Sequence, residues 1–258
     1  MNVQTEWVAQ QLQDVAERVI LPRFGALAEG EIEEKKPGDL VTVADREAEL
    51  ELVRILSAAD PEALVVGEEG VFCEPARLEA LPTAERAWVI DPVDGTKNFS
   101  RGSPDFAVML AEVRSGVTVR GWIWQPIHGR MYIAERGAGV TCNGQPVRRA
   151  RVDRAVPLGA TYVPLRGEDA DRVQVRRSWG SCGIDYPSLI AGEVDFLTYR
   201  SMFPWDHLPG GLMVAEFGGR IASEDGVDYR PGVIGRRLIA VIEPAIWPTV
   251  RDALDTAH

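Results

Sequence analysis

The stretch Trp88–Val89–Ile90–Asp91–Pro92–Val93–Asp94–Gly95–Thr96–Lys97–Asn98–Phe99 limits the folds open to this chain more than any other. Its apolar, β-branched start reads as a buried strand. The strand ends in two aspartates three residues apart, and Gly95–Thr96 suits a turn that opens into a helix. Two carboxylates leaving one strand end can share a hard cation such as Mg²⁺, which prefers oxygen ligands. The backbone N–H groups of Gly95 and Thr96, at a helix N-terminus, can hold a phosphate. Alone, the same residues are also explained as a turn, with Asp91 beside Pro92 and Asp94 beside Gly95.

Two other acidic stretches weigh against the turn reading. Gly67–Glu68–Glu69–Gly70 follows the apolar run Ala63–Leu64–Val65–Val66, and Trp205–Asp206 precedes an expected helix that leads into Gly218–Gly219. Clustered carboxylates repel one another and resist ionising together unless cations neutralise them. Acids plus a phosphate cradle make a plan for metal-assisted phosphoryl chemistry.

With Gly38–Asp39–Leu40–Val41–Thr42–Val43–Ala44–Asp45 added in front, the order and spacing of these pieces resemble the inositol monophosphatase family. The resemblance covers nearly the whole chain. It implies an Mg²⁺-dependent, lithium-sensitive phosphomonoesterase with two to three Mg²⁺ per site, commonly a homodimer. The implied fold is α/β in the layered α+β sense, with alternating α-β-α-β-α layers. An N-terminal antiparallel sheet with helices (1–150) carries most metal ligands, and a smaller C-terminal mixed sheet flanked by helices (151–258) carries Asp206 and the specificity residues.

The resemblance also implies roles. Glu68, Asp91 and the Val93 carbonyl hold one cation, and Asp91, Asp94 and Asp206 a second. Glu68 touches a third through water, with Glu69 behind it. Thr96, with its proton directed at Asp45, orients the attacking water together with Glu68. Gly95 and Thr96 hold the phosphate, and small residues at Gly180–Ser181–Cys182 line the substrate pocket. A comparable lysine-bearing loop lies beside the metals in the family, so Lys36 is either a helper in ordering a third cation or its water network, or, as the favoured plain reading, a solvated lysine. Inositol-hydrolysing members carry a glutamate seven residues before the WD aspartate, where this chain has Tyr199, followed by Arg200. A tyrosine still bonds a hydroxyl ligand, and Arg200 invites an anionic or second phosphate group. The substrate class thus stays open among inositol phosphate, histidinol phosphate, fructose 1,6-bisphosphate and nucleotide 3′-phosphates. A non-catalytic binding module on the same fold is the competing class.

Composition narrows the setting. A chain of 258 residues, 45% hydrophobic and 26% charged, suits a soluble globular protein with a sizeable core. Its net charge of −11 argues against a nucleic-acid surface. Cys73, Cys142 and Cys182 are odd in number with no C-x-x-C spacing, which suggests a reducing compartment. The N-terminal residues lack a signal-peptide pattern and no stretch suits a membrane span, so a cytoplasmic protein with no membrane partner is expected.

In chain order, Thr5 to Leu27 carries a helical apolar stripe broken by Pro22, and Glu29 to Gly38 reads as an exposed mobile loop. Thr42 and Asp45 form a capping box for a helix that stops before Asp60–Pro61. Residues 71–86 read as a polar connection. Asp105 to Val113, Val117 to Trp124 and Arg130 to Glu135 form an antiparallel meander, and Asn143–Gly144 a tight turn. The basic runs at Arg148, Arg149, Arg151 and Arg154, and at Arg172, Arg176 and Arg177, are solvated surface by default, or anion sites.

Overall fold

The computed structural model describes residues 3–28, 30–150, 154–163, 165, 170–233, 235 and 237–254. The first amphipathic segment is an α-helix at Thr5–Val15 (α1), a π-turn at Ala16–Ile20 and a 3₁₀ turn at Leu21–Arg23. Its stripe of Val8, Leu12, Val15 and Ile20 is buried. The expected mobile loop is instead a hairpin: Ile32–Lys36 (β1) pairs antiparallel with Asp39–Thr42 (β2). The charged side chains of β1 hide the backbone pairing, because this ribbon is largely exposed and shows no apolar alternation. Glu29 lies outside the described residues.

Thr42 caps Val43–Ala59 (α2) through the expected capping box with Asp45. Leu64–Gly67 (β3) leads directly into Glu68–Cys73 (α3), and Ala76–Ala80 (α4) follows. The stretch expected as a polar connection is therefore largely helical, pinned by buried Leu81. Arg86–Asp94 (β4), Thr96–Ser100 (α5), Ala107–Arg114 (β5), Val117–Gln125 (β6), Arg130–Glu135 (β7), Gly139–Cys142 (β8) and Gln145–Pro146 (β9) come next. Strands β3 to β9 form a seven-stranded sheet in sequence order, with β3 and β4 parallel and the rest antiparallel. The meander and the Asn143–Gly144 turn stand as expected, with φ of 49° and 74° at the turn.

A second sheet contains Leu158–Thr161 (β10), Gln174–Arg177 (β11), Phe196–Tyr199 (β12), Arg220–Ser223 (β13) and Leu238–Val241 (β14). Its order is β11-β10-β12-β14-β13, and it is mixed: β10 runs parallel to β11 and β12, while β14 runs antiparallel to β12 and β13. Helices Cys182–Ala191 (α6), Pro204–Glu216 (α7) and Trp247–Ala253 (α8) complete this part.

Strand alternation stacks the layers. Trp88 and Ile90 of β4 and Val108 and Leu110 of β5 face α1 and α2. Ala107 and Met109 of β5 face Tyr186 and Leu189 of α6 and Leu212 and Met213 of α7. Leu238 and Ala240 of β14 join that same core from the other side, while Ile239 and Val241 turn outward to Trp247 and Val250 of α8. The order is α1/α2, seven-stranded sheet, α6/α7, five-stranded sheet, α8, the alternating arrangement expected. Among the described residues, no helix is long and apolar enough to cross a membrane.

Candidate active site

Strands β3 and β4 are parallel neighbours, with Gly67 opposite Ile90. Their C-terminal ends therefore deliver Glu68 and Asp91 to one edge of the sheet. Glu49 of α2, which the sequence reading did not single out, sets the Glu68 end. Its buried carboxylate accepts from Glu69 N at 2.8 Å and Gly70 N at 2.6 Å, capping the start of α3. Gly67 must be glycine for this, because a Cβ there would stand 2.2 Å from Glu49 Cδ. No short motif marks Glu49; a buried acid on the apolar side of α2 was the only signal.

Asp45 does two jobs. Its Oδ2 closes the capping box, accepting from Thr42 N at 2.8 Å and from the Thr42 hydroxyl. Its Oδ1 lies 3.0 Å from Thr96 Oγ1, which is also 3.0 Å from the Val93 carbonyl. One hydroxyl proton cannot serve both acceptors at once. A cation on the Val93 carbonyl would direct it to Asp45. Between them Gly95 adopts φ 86°, and a Cβ there would meet Ser181 Cβ at 3.0 Å and the Asp105 carbonyl at 3.1 Å. Only glycine turns the chain so tightly against α6.

The far wall comes from α6 and α7. Asp94 accepts from the Ser181 hydroxyl, from Cys182 N at 3.0 Å and from Gly183 N at 2.7 Å, all at the start of α6. Pro204 opens α7, so Asp206 lies in its first helical turn rather than ahead of the helix as the sequence suggested. Proline suits that position because its missing N–H has no helical partner there. Asp206 and Asp91 line the same cleft.

The electrostatics follow from this crowding. Burial, then the charges of Glu68, Asp94 and Asp206, push Asp91 far above the usual carboxylate range. Burial, then the charges of Glu68 and Asp94, do so for Asp206, against the lowering effect of Asp91. Burial raises Asp94 against its three donors, Glu68 to about 7 and Asp45 to about 6. Glu68, Asp91, Asp94 and Asp206, together with Val93 and Thr96, line a cleft of about 880 Å³, and Asp45 stands behind Thr96. The donors are carboxylate and carbonyl oxygens, and the acids lack enough counter-charge. Such a set fits hard divalent cations such as Mg²⁺.

The lysine nearest the acids is Lys35, not Lys36. Lys35 Nζ lies 2.8 Å from both Glu68 Oε1 and Glu69 Oε1. Burial works against its charge, yet the two glutamates raise its pKa overall. Lys36 projects to the mouth, 3.5 Å from Asp39 and 5.9 Å from the Phe203 ring centroid. Strand alternation in the unforeseen hairpin decides which lysine points in.

Gly180, Ser181, Cys182, Tyr199 and Arg200 all line the cleft. The Tyr199 hydroxyl points to buried Asp185, at 3.4 Å, and Arg200 Nε donates to the Tyr162 carbonyl at 3.2 Å. The basic runs stand away from it. Arg149 and Arg154 pair with Asp195, and Arg176 lies 3.9 Å over Trp179. Arg151 is outside the described residues.

Comparison with known proteins agrees with this geometry. The sequence profile of the inositol monophosphatase family matches residues 2–245. The chain is 33% identical over 202 residues to a fructose-1,6-bisphosphatase/inositol-1-monophosphatase of Thermotoga maritima, covering 75% of each chain. It is 32% identical over 245 residues to the Nus factor SuhB of Pseudomonas aeruginosa, covering 85% of this chain and 89% of that one. A solved Thermotoga maritima IMPase superposes with a TM-score of 0.80 at 27% identity, over 96% of this chain and 95% of that one. From its sequence and its fold alike, this chain belongs to the inositol monophosphatase family.

Proposed function

We propose that the protein is an Mg²⁺-dependent phosphomonoesterase acting on a small phosphorylated metabolite. The observation that carries this reading is the convergence of Glu68, Asp91, Asp94 and Asp206 on one cleft that is also lined by Thr96, whose hydroxyl is paired with Asp45 behind it. Glu68, Asp91, Asp94, Asp206 and the Val93 carbonyl would hold two to three Mg²⁺. Bound there, the ions supply positive charge to offset the phosphate dianion and acidify the attacking water.

The chain's own residues do the rest. Thr96 Oγ1 donates its proton to Asp45 and keeps a lone pair for the attacking water. Glu68 orients the same water together with Thr96. The amides of Gly95 and Thr96 face the phosphate oxygens. Lys35 orients Glu68 and Glu69. The leaving group lies toward Ser181, Cys182, Tyr199 and Arg200, where Arg200 favours an anionic substituent. The protein works as a homodimer on this reading, which sedimentation would test.

The relative called a Nus factor raises a second reading, a binding module without turnover. The complete acid set and the Thr96–Asp45 pair favour catalysis over storage or scaffolding. The charge of −11 disfavours a nucleic-acid partner.

The deciding experiment is phosphate release from inositol 1-phosphate, fructose 1,6-bisphosphate, histidinol phosphate, adenosine 3′,5′-bisphosphate and NADP, with and without Mg²⁺ and Li⁺. Mg²⁺-dependent release suppressed by Li⁺ is expected. No release from any of them, with Mg²⁺ binding intact by calorimetry, would favour the binding module.

A further inference from the structure

We propose that Cys182 turns one cation position of this cleft into a mixed sulfur–oxygen site that takes a thiophilic divalent ion of the Zn²⁺ or Co²⁺ class. The inference concerns the same cleft as the proposed function but does not need turnover. Cys182 Sγ, one carboxylate oxygen of Asp94 and one of Asp206 lie within 4.8 Å of one another. Cys182 is 9% exposed and lines the cleft, and its thiol has no hydrogen-bond partner among the described residues. Its backbone N–H donates to Asp94 Oδ1 at 3.0 Å, so the thiol is anchored to one of the carboxylates it faces.

Distances suit an ion. Zinc binds sulfur at about 2.3 Å and carboxylate oxygen at about 2.0–2.2 Å, which puts ligand atoms roughly 3–4.4 Å apart. A small side-chain rotation closes the observed spread. Sulfur adds little for hard Mg²⁺ and much for borderline ions, so the thiol changes selectivity rather than only affinity. On binding, the S–H proton leaves to a solvent base and the thiolate–metal bond forms, with no change of oxidation state. Cys73 is exposed and Cys142 lies away from the acids, so neither offers this chemistry.

The test is a Co²⁺ titration of the full-length protein, read in the near ultraviolet for the thiolate-to-Co²⁺ charge-transfer band. The band is expected in the wild type, in Cys73→Ser and in Cys142→Ser, and is expected to vanish in Cys182→Ser and Cys182→Ala. Competition with a chromophoric chelator should show Zn²⁺ binding weakened at least about tenfold in the Cys182 variants, and Mg²⁺ binding shifted less. No band in the wild type, or a band that survives loss of Cys182, overturns the proposal. Should Cys182→Ala fail to fold, the nearly isosteric Cys182→Ser decides. Mg²⁺-supported phosphate release on the same preparations separates the two readings. Release without the band sinks the sulfur site and leaves the phosphatase. The band without release does the opposite.

Discussion

The two walls of the cleft are built by different physics. The acid wall is made by backbone: parallel strand ends place Glu68 and Asp91, a capping box holds Asp45, and a left-handed glycine turns the chain at 95. The opposite wall is made by side-chain packing. Tyr186 stacks on Tyr199 with ring centroids 5.7 Å apart, and Tyr199 lies 4.7 Å from His207. Burial lowers His207 to about 3, so its ring is neutral. Its Nε2–H then donates to the Ser201 carbonyl and its Nδ1 accepts from Tyr186, both at 3.0 Å. Asp185 collects Ser178 Oγ at 2.6 Å, Trp179 N at 3.0 Å and the Tyr199 hydroxyl. The contrast teaches that, on the proposed function, the reacting wall rests mostly on local backbone geometry, while the shape offered to the leaving group depends on residues far apart in sequence.

The comparison breaks first if the acid wall is not the reactive one. Asp91→Asn should cut phosphate release at saturating Mg²⁺ on the order of a thousandfold or more, beyond the loss typical of outer-shell partners. It should also raise the melting temperature measured in chelator near neutral pH, because asparagine escapes the cost of holding a buried carboxyl protonated among other acids. Near-normal release by this variant would move the chemistry elsewhere.

A pH series sharpens the contrast from the packed side. Burial raises Asp185 from 3.8 to about 7, so the folded state binds more protons than the unfolded chain between those values. Stability of the metal-free protein should therefore fall as pH rises from about 4 to about 7, by a few kcal/mol at most for this one group. Glu68 and Asp45 act in the same direction. Asp185→Asn should remove one share of that slope, making the variant relatively more stable at pH 8 and nearly equal to wild type at pH 4. Denaturant melts at several pH values read this directly. Parallel curves for variant and wild type would mean that Asp185 is not held protonated.

The smallest effect isolates a support of the acid wall. Glu49→Ala leaves Glu69 N and Gly70 N without their acceptor and should cost about 1–3 kcal/mol in urea unfolding. Mg²⁺ affinity should fall with it, since α3 carries Glu68. Unchanged stability would show that water replaces the carboxylate and that the cap is dispensable.

Legibility followed the same division. The strand ending in Asp91 and Asp94, the capping box at Thr42–Asp45, the meander and the Asn143–Gly144 turn were readable because each rests on neighbours within a few residues. The layered α-β-α-β-α arrangement came from resemblance, and strand alternation explains it. The hairpin at Ile32–Thr42 was missed because its charged, exposed strand carries no apolar period. That error carried over to the lysine: the side of the ribbon that faces the acids is set by pairing register.

The sequence by itself thus determined the oxygen-rich strand ends and the turn that follows them, since φ/ψ preferences and short-range hydrogen bonds act along the chain. Only the tertiary structure decided that Lys35 would meet Glu68, 33 residues away, that Ser181 would hold Asp94, 87 residues away, and that Cys182 would stand beside two carboxylates. Those partners are chosen by the packing of sheets and helices against one another, and no local pattern records which distant side chain a fold will bring to the same few ångströms.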